Sequence, residues 1–301
     1  AWLDNQIVAP QSQILEGLDQ RISAAGYNPL DKSNLELDWY KRNLLSDVLW
    51  ETFVYGEDQL RQRMAFALSQ IFVISDISDA LFNDVRGVAN YHDILAKNAL
   101  GNYRELLKDV TLNPMMGEYL SMVRNEKADP ARNIRPDENY AREMMQLFTI
   151  GLVMLNDDGT VQLDDQGRSI PTYDQDIIKS FARVFTGWMY GDAPQWYWWE
   201  WLTSSEVRPM KAFEDFHDTD AKTLLNGQVV PGGQTARQDL DAALDNVFSH
   251  PNVAPFVSKQ LIQRLVTSNP SPAYVARVAA VFNDNGQGVK GDLAAVVKAI
   301  L

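Results

Sequence analysis

From Met64 to Ile74 the chain reads Met-Ala-Phe-Ala-Leu-Ser-Gln-Ile-Phe-Val-Ile, and within it Ser69 and Gln70 alone are polar. A helix built on such a run is apolar nearly all round, so it needs apolar neighbours on every side. The pattern therefore predicts a helix over 57–75 that runs through the core of a many-helix body. Helical periodicity recurs over 13–25, 35–55, 84–99, 103–111, 115–122, 137–150, 174–188, 236–248, 253–266 and 272–282, and again from Gly291. Thr235 with Gln238 forms a capping box, and Ser271-Pro272 sets a cap before a first-turn proline. Short β-hairpins are expected over 155–170, where Asp157-Asp158-Gly159 and Asp165-Gln166-Gly167 mark turns, and over 223–230 around Asn226-Gly227. Residues 191–216, rich in tryptophan, fit no period. The expectation is an all-α, multi-helical, bundle-like single unit over 1–301 with two small β-hairpins.

A chain of 301 residues can bury one large core or two modest ones, and 46% hydrophobic residues make it globular. Its net charge is −13 with no block of lysine or arginine, which argues against nucleic acid or an anionic membrane as the main partner. The apolar runs are too short for a transmembrane segment. Cysteine is absent, which removes disulfides, thiolate nucleophiles and cysteine-held metals together. That avoidance fits an exported protein. No signal peptide is visible. The chain opens on Ala1-Trp2-Leu3-Asp4 and stops at Ile300-Leu301 inside an apolar-periodic segment, so both ends are expected to be cuts through a longer protein.

On the expected helix 137–150, capped by Asp137 and ended by Gly151, residues Glu138, Asn139, Arg142, Glu143 and Gln146 share an arc of roughly 140°. That face is either solvated with a Glu138–Arg142 pair, a structural ion network, or a pocket closed by Lys179 and Arg183 of helix 174–188. His217-Asp218-Thr219-Asp220-Ala221-Lys222 is the second constellation. An imidazole beside carboxylates suits general-base chemistry, or His217 caps the adjacent hairpin. His92 and His250 read as structural. The three histidines lack zinc spacing, so no metal ligands are assigned and the cofactor is left open. Asn156-Asp157-Asp158-Gly159-Thr160 has the look of a calcium loop, but Gly167 stands where the twelfth-position glutamate is needed, and turn chemistry explains these residues. Trp196-Tyr197-Trp198-Trp199-Glu200-Trp201 offers indoles for stacking on sugars or a partner, unless the loop folds back and buries them. No nucleophile elbow or phosphate-cradling glycine loop occurs.

A series of short motifs runs in order along nearly the whole chain. It begins with Trp2-Leu3-Asp4-Asn5-Gln6, Arg63-Met64, Tyr91-His92-Asp93-Ile94-Leu95 and Gly101-Asn102-Tyr103-Arg104. Its strongest part is Pro136-Asp137-Glu138-Asn139-Tyr140-Ala141-Arg142-Glu143 with Leu147-Phe148-Thr149-Ile150-Gly151. Ala182-Arg183, Thr186-Gly187-Trp188, His217-Asp218 with Lys222, and His250-Pro251 follow. This order resembles DUF1800, a bacterial family of unknown function. The resemblance implies an exported, extracytoplasmic protein, further helices upstream, and a functional pairing with a protein resembling the alkaline-phosphatase superfamily. Some members carry Trp and His around the Arg63-Met64 position; Ala65-Phe66-Ala67-Leu68 stands here, so no histidine site carries over.

The functional expectation is an enzyme acting on an extracellular polymer such as polysaccharide. Glu143 or Glu138 serves as acid/base, Arg142 as electrostatic stabiliser and His217 as second proton carrier. Asn139, Arg183, Lys222, Trp196, Trp198 and Trp199 form the substrate path. The rival is a non-catalytic cell-envelope binding or assembly protein in which the polar faces lock the bundle and the tryptophans hold a partner.

Overall fold

The computed structural model describes residues 2–32, 35–197 and 206–301, so Trp198 and Trp199 lie outside the described residues. The molecule is mostly helical with small hairpins, as the periodicity requires. Its first part comprises α1 (Trp2–Val8), α2 (Ile14–Ala24), α3 (Leu35–Tyr55), α4 (Gln59–Ser69) and α5 (Val85–Asn98), with α2 packed on α3 and α5. Next come α6 (Tyr103–Thr111), α7 (Pro114–Tyr119), α8 (Asn139–Glu143) and α9 (Gln175–Val184). The last part is α10 (Ala236–Ser249), α11 (Val253–Leu265), α12 (Pro272–Asn283) and α13 (Leu293–Ile300). The capping box at Thr235 is formed, and Ser271 and Asp292 cap α12 and α13 with their side chains.

The main core gathers around Phe72, which packs 5.0 Å from Phe148 and 5.9 Å from Tyr103, whose ring meets Phe282 at 5.5 Å. A smaller apolar cluster joins Ile14, Leu18 and Ile22 of α2 to Leu45 and Val48 of α3 and Val85, Val88 and Ala89 of α5. Helix α4 buries Leu60, Met64, Ala65, Ala67 and Leu68, but it ends at Ser69 rather than at 75. The Ser69 hydroxyl donates to the Phe66 carbonyl at 2.8 Å, and the amides of Ile71 and Phe72 both turn back to the Leu68 carbonyl. Side-chain competition of this kind ends a helix while the apolar residues beyond it still enter the core.

The expected helix 137–150 is α-helical over α8 and then widens into a π-helix over Met144–Thr149. The Thr149 hydroxyl donates to the Met144 carbonyl at 2.7 Å and the Tyr103 hydroxyl takes the Phe148 carbonyl, which draws both out of the ordinary ladder. Gly151, at φ +69, closes it with its amide on the Met145 carbonyl.

Helix α9 also stops early. The Thr186 hydroxyl donates to the Arg183 carbonyl at 2.7 Å, Gly187 turns at φ +82, and Trp188–Met189 becomes strand β1. Its antiparallel partner β2 (Lys211–Ala212) comes from the stretch without a period. Strands β3 (Lys222–Thr223) and β4 (Val229–Val230) pair across Asn226 and Gly227, both at positive φ, as an Asn-Gly hairpin turn demands. Segment 155–170 departs from a regular ladder: it is a meander held by isolated bridges Leu155–Val161 and Leu163–Ser169. Asp158 and Asp164 spend their carboxylates on the turn amides of Thr160 and of Gln166 and Arg168.

Asn252 ties this meander to the π-helix. It is wholly buried, donates to the carbonyls of Ile150 and Val153 at 2.8 Å each, and accepts the Leu155 amide at 2.8 Å. Replacing Asn252 with alanine strands three buried backbone groups at about 1 kcal/mol each. Urea unfolding of Asn252→Ala is expected to show a stability loss of about 3 kcal/mol with an unchanged slope.

Candidate functional site

Helix α9 carries a polar group at each end, and each end builds a different cluster. At its start, the Gln175 amide donates to Glu138 Oε2 at 2.6 Å, and Arg142 Nη2 meets the same oxygen at 3.0 Å. Further along α8, Glu143 and Asn139 face a cleft of about 360 Å³ whose other walls are Val73, Tyr119, Leu120, Leu147 and Phe148. The apolar walls draw water from the Glu143 carboxyl, and burial pushes its pKa up against the opposing pull of Arg142. Among the described residues the Glu143 carboxyl takes no hydrogen bond. Tyr173 sits within electrostatic reach of both residues: burial raises its phenol, Arg142 lowers it and Glu143 raises it. The Tyr173 hydroxyl is buried without a hydrogen-bond partner.

At the other end of α9, Arg183 grips Asp218 through both carboxylate oxygens, at 2.8 and 2.9 Å. The Thr186 hydroxyl accepts the Asp218 amide at 2.9 Å. His217 is completely buried, with Nδ1 3.0 Å from the Thr186 carbonyl and Nε2 3.1 Å from Asp239 Oδ2. Lys222, 1% exposed, donates to the same Asp239 oxygen at 2.6 Å, to the Asp220 carbonyl at 2.9 Å and to the Asp218 carbonyl. Burial pushes the Asp239 carboxyl up, but His217 and Lys222 together outweigh it and hold the pKa below the ordinary value. The same balance, with Arg183 as the main partner, lowers Asp218. Gly187 belongs here sterically, because a Cβ on it would lie 2.9 Å from the His217 amide nitrogen.

Asn125 links the two ends. Its Oδ1 accepts the Asp137 amide at 2.8 Å, its Nδ2 donates to the Asp137 carbonyl at 3.2 Å, and its own carbonyl accepts the Gly187 amide at 2.8 Å. The clusters nonetheless stay apart. Gln175 and Arg183 are separated along α9 by about 12 Å at 1.5 Å per residue.

The expected residues therefore divide. Glu138, Asn139, Arg142 and Glu143 come together around the cleft, while Arg183, His217 and Lys222 come together in the buried network. The shared cleft joining Glu143 to His217 does not form, because His217 spends both ring nitrogens on Thr186 and Asp239. Nor does the seam with Lys179 and Arg183 form: Lys179 pairs with Asp176 and Arg183 with Asp218. Trp196 is 5% exposed and stacks at 4.4 Å on Phe216, so its ring is spent inside the molecule. Its neighbour Tyr197 is exposed and accepts from Arg132 Nη1 at 2.6 Å. His250 is buried and accepts the Asn252 amide, and burial lowers both it and His92 to about 4.

Asp239, Tyr173 and Glu118 were not legible as site residues. Asp239 follows the capping box directly, and nothing in its own neighbourhood announces a partner in His217. Glu118 precedes the cleft residue Tyr119; burial pushes it up to about 7, with Arg124 opposing and Asp84 reinforcing.

Fold and site together define a mostly helical protein with a buried histidine–aspartate–lysine network at one end of α9 and, near the other, a cleft carrying a half-buried carboxyl. The chain belongs to the DUF1800 family of proteins of unknown function, whose model matches residues 1–301. No curated protein and no solved structure matches it.

Lys222→Met leaves Asp239 buried beside a single partner, and Asp239 Oδ1 already takes no hydrogen bond. Its unfolding free energy is expected to fall by about 3–5 kcal/mol, with the double variant Lys222→Met/Asp239→Leu recovering part of the loss. Glu118 has the opposite sign from Asp239. Its folded pKa of about 7 lies above the unfolded 4.5, so the protonated acid favours the fold and stability drops as pH rises from 4.5 through about 7. Chemical denaturation across that window is expected to show a relative loss on the order of 3 kcal/mol in the wild type, and none of it in Glu118→Gln.

Proposed function

We propose that this chain is an extracytoplasmic enzyme acting on an extracellular polymer, with polysaccharide as the substrate class and Glu143 as its acid/base. The observation that carries the reading is the Glu143 carboxyl itself: half-buried, raised in pKa, and facing a 360 Å³ cleft with Asn139 beside it. A carboxylic acid kept protonated above its ordinary range can donate to a departing oxygen. The Asn139 amide supplies a donor and an acceptor for substrate hydroxyls. Arg142, paired with Glu138 and partly exposed, adds positive charge beside the acid. Arg183, His217 and Lys222 act in this reading as positioning residues that fix the far end of α9. An extracytoplasmic location rests on the family resemblance and the lack of cysteine, and a functional pairing with an alkaline-phosphatase-like protein rests on the resemblance.

A second reading, a non-catalytic envelope binding or assembly protein, is favoured by the aromatics on α3, where Trp39, Trp50 and Tyr55 are 61%, 66% and 80% exposed. The two separate on one experiment. Incubation with peptidoglycan, chitin, xylan and alginate, followed by assay of new reducing ends, is expected to show release from at least one polymer. Glu143→Gln is expected to lower that release about 10²–10⁴-fold, and the wild-type rate is expected to fall as pH rises through the raised Glu143 pKa. Release from none of the polymers, or release unchanged in Glu143→Gln, removes the enzyme reading. Retention on a polymer without release, abolished by Trp50→Ala, establishes the binding reading instead.

A further inference from the structure

A second cavity, of 380 Å³, lies between α5, α6 and the start of α10 and shares no lining residue with the Glu143 cleft. Its lining contrasts with the rest of the chain. The protein carries a net charge of −13, yet Lys97, Lys108 and Arg237 line this cavity against Asp109, the single carboxylate among the described lining residues. Asp109 is already committed, accepting from Lys97 Nζ at 2.9 Å and from Asn98 Nδ2 at 2.9 Å. Lys108 and Arg237 both lean on Asp241, at 3.0 and 3.4 Å. Each of these cations has further N–H groups to give.

Asn113 supplies the independent observation. It is 1% exposed and lines the cavity, and its Oδ1 caps α7 by accepting the amides of Met115 and Met116. Its Nδ2 has no hydrogen-bond partner. A buried amide donor left unmatched costs about 1–3 kcal/mol, so an acceptor brought to it gains what the free protein lacks. Leu112 and Met210 give the cavity an apolar wall beside these donors.

We propose that this cavity binds a small organic oxyanion, a carboxylate or phosphate group on a compact apolar body, with Lys97, Lys108 and Arg237 as counter-charges and Asn113 Nδ2 as a neutral donor. The lining donors exceed the lining acceptors in a space of ligand size. The site is independent of the Glu143 cleft and stands or falls without it.

The test is calorimetric titration of the intact chain at low ionic strength with phenyl phosphate, benzoate and, as the uncharged control, benzyl alcohol. Saturable binding of one or both anions and none of the alcohol is expected, and the stronger anion tells phosphate from carboxylate. Lys97→Met alters an exposed side chain and is expected to weaken binding about tenfold. Asn113→Asp keeps a helix-cap acceptor while placing a negative charge in the cavity, and is expected to abolish binding, with circular dichroism of the variant checking that the fold survives the buried charge. No binding of either anion at millimolar concentration overturns the proposal. Binding that both variants leave intact overturns it equally, since the anion then sits elsewhere.

Discussion

Lys222 and Asp239 are each 1% exposed, and a charge so deeply buried persists only where its partner is held rigidly against it. The chain meets that demand by folding four separate segments around one carboxylate: the end of α9, the His217-Asp218 turn, strand β3 and the first turn of α10. Desolvation works against the charged carboxylate throughout, and the hydrogen bonds from His217 and Lys222 with the Lys222 charge outweigh it. Such a network adds little net stability compared with an apolar plug, but it tolerates a single arrangement of its parts. That selectivity fixes where α9 ends and how the hairpin of β3 and β4 sits on it.

The cleft stands apart from this network. Its acid, Glu143, stands on the last residue of α8, where the helix widens into the π-helix. Widened turns form where side chains compete for backbone carbonyls, and here Thr149 and Tyr103 do so from the core side. The consequence is a helix face on which Glu143 and Leu147 border the same cavity, with Leu147 42% exposed. Asn125 then links the start of α8 to the turn after α9, so the cleft and the buried network are tied together without sharing a site.

Much of this architecture was legible. The helix over Leu35–Tyr55 and the helix over Tyr103–Thr111 have the bounds their periodicity implies, and the caps at Thr235 and Ser271 and the turn at Asn226-Gly227 are local chemistry that a sequence displays openly. What failed was the assumption that a helical period continues until its pattern stops. At 57–75, 137–150 and 174–188 the apolar pattern runs on while hydroxyls of Ser69, Thr149 and Thr186 divert the carbonyls. A short hydroxyl-bearing side chain does this only when the next segment offers its backbone a better place, and that place is set by tertiary packing. The strand Trp188–Met189 shows it, since its partner lies beyond an aperiodic loop.

By itself the sequence determined the helical class, the hairpin at Asn226-Gly227 and the residues from which sites are built, because periodicity, capping and turn preference act over a few neighbours. Only the tertiary structure decided which of those residues meet. His217 and Glu143 were both visible as titratable groups, but their allotment to a satisfied interior and to an open cleft depends on Asp239 and Thr186 reaching the one and on apolar walls closing around the other. Burial and pairing are properties of the assembled chain, and they decide whether a polar group is spent on the fold or left to act.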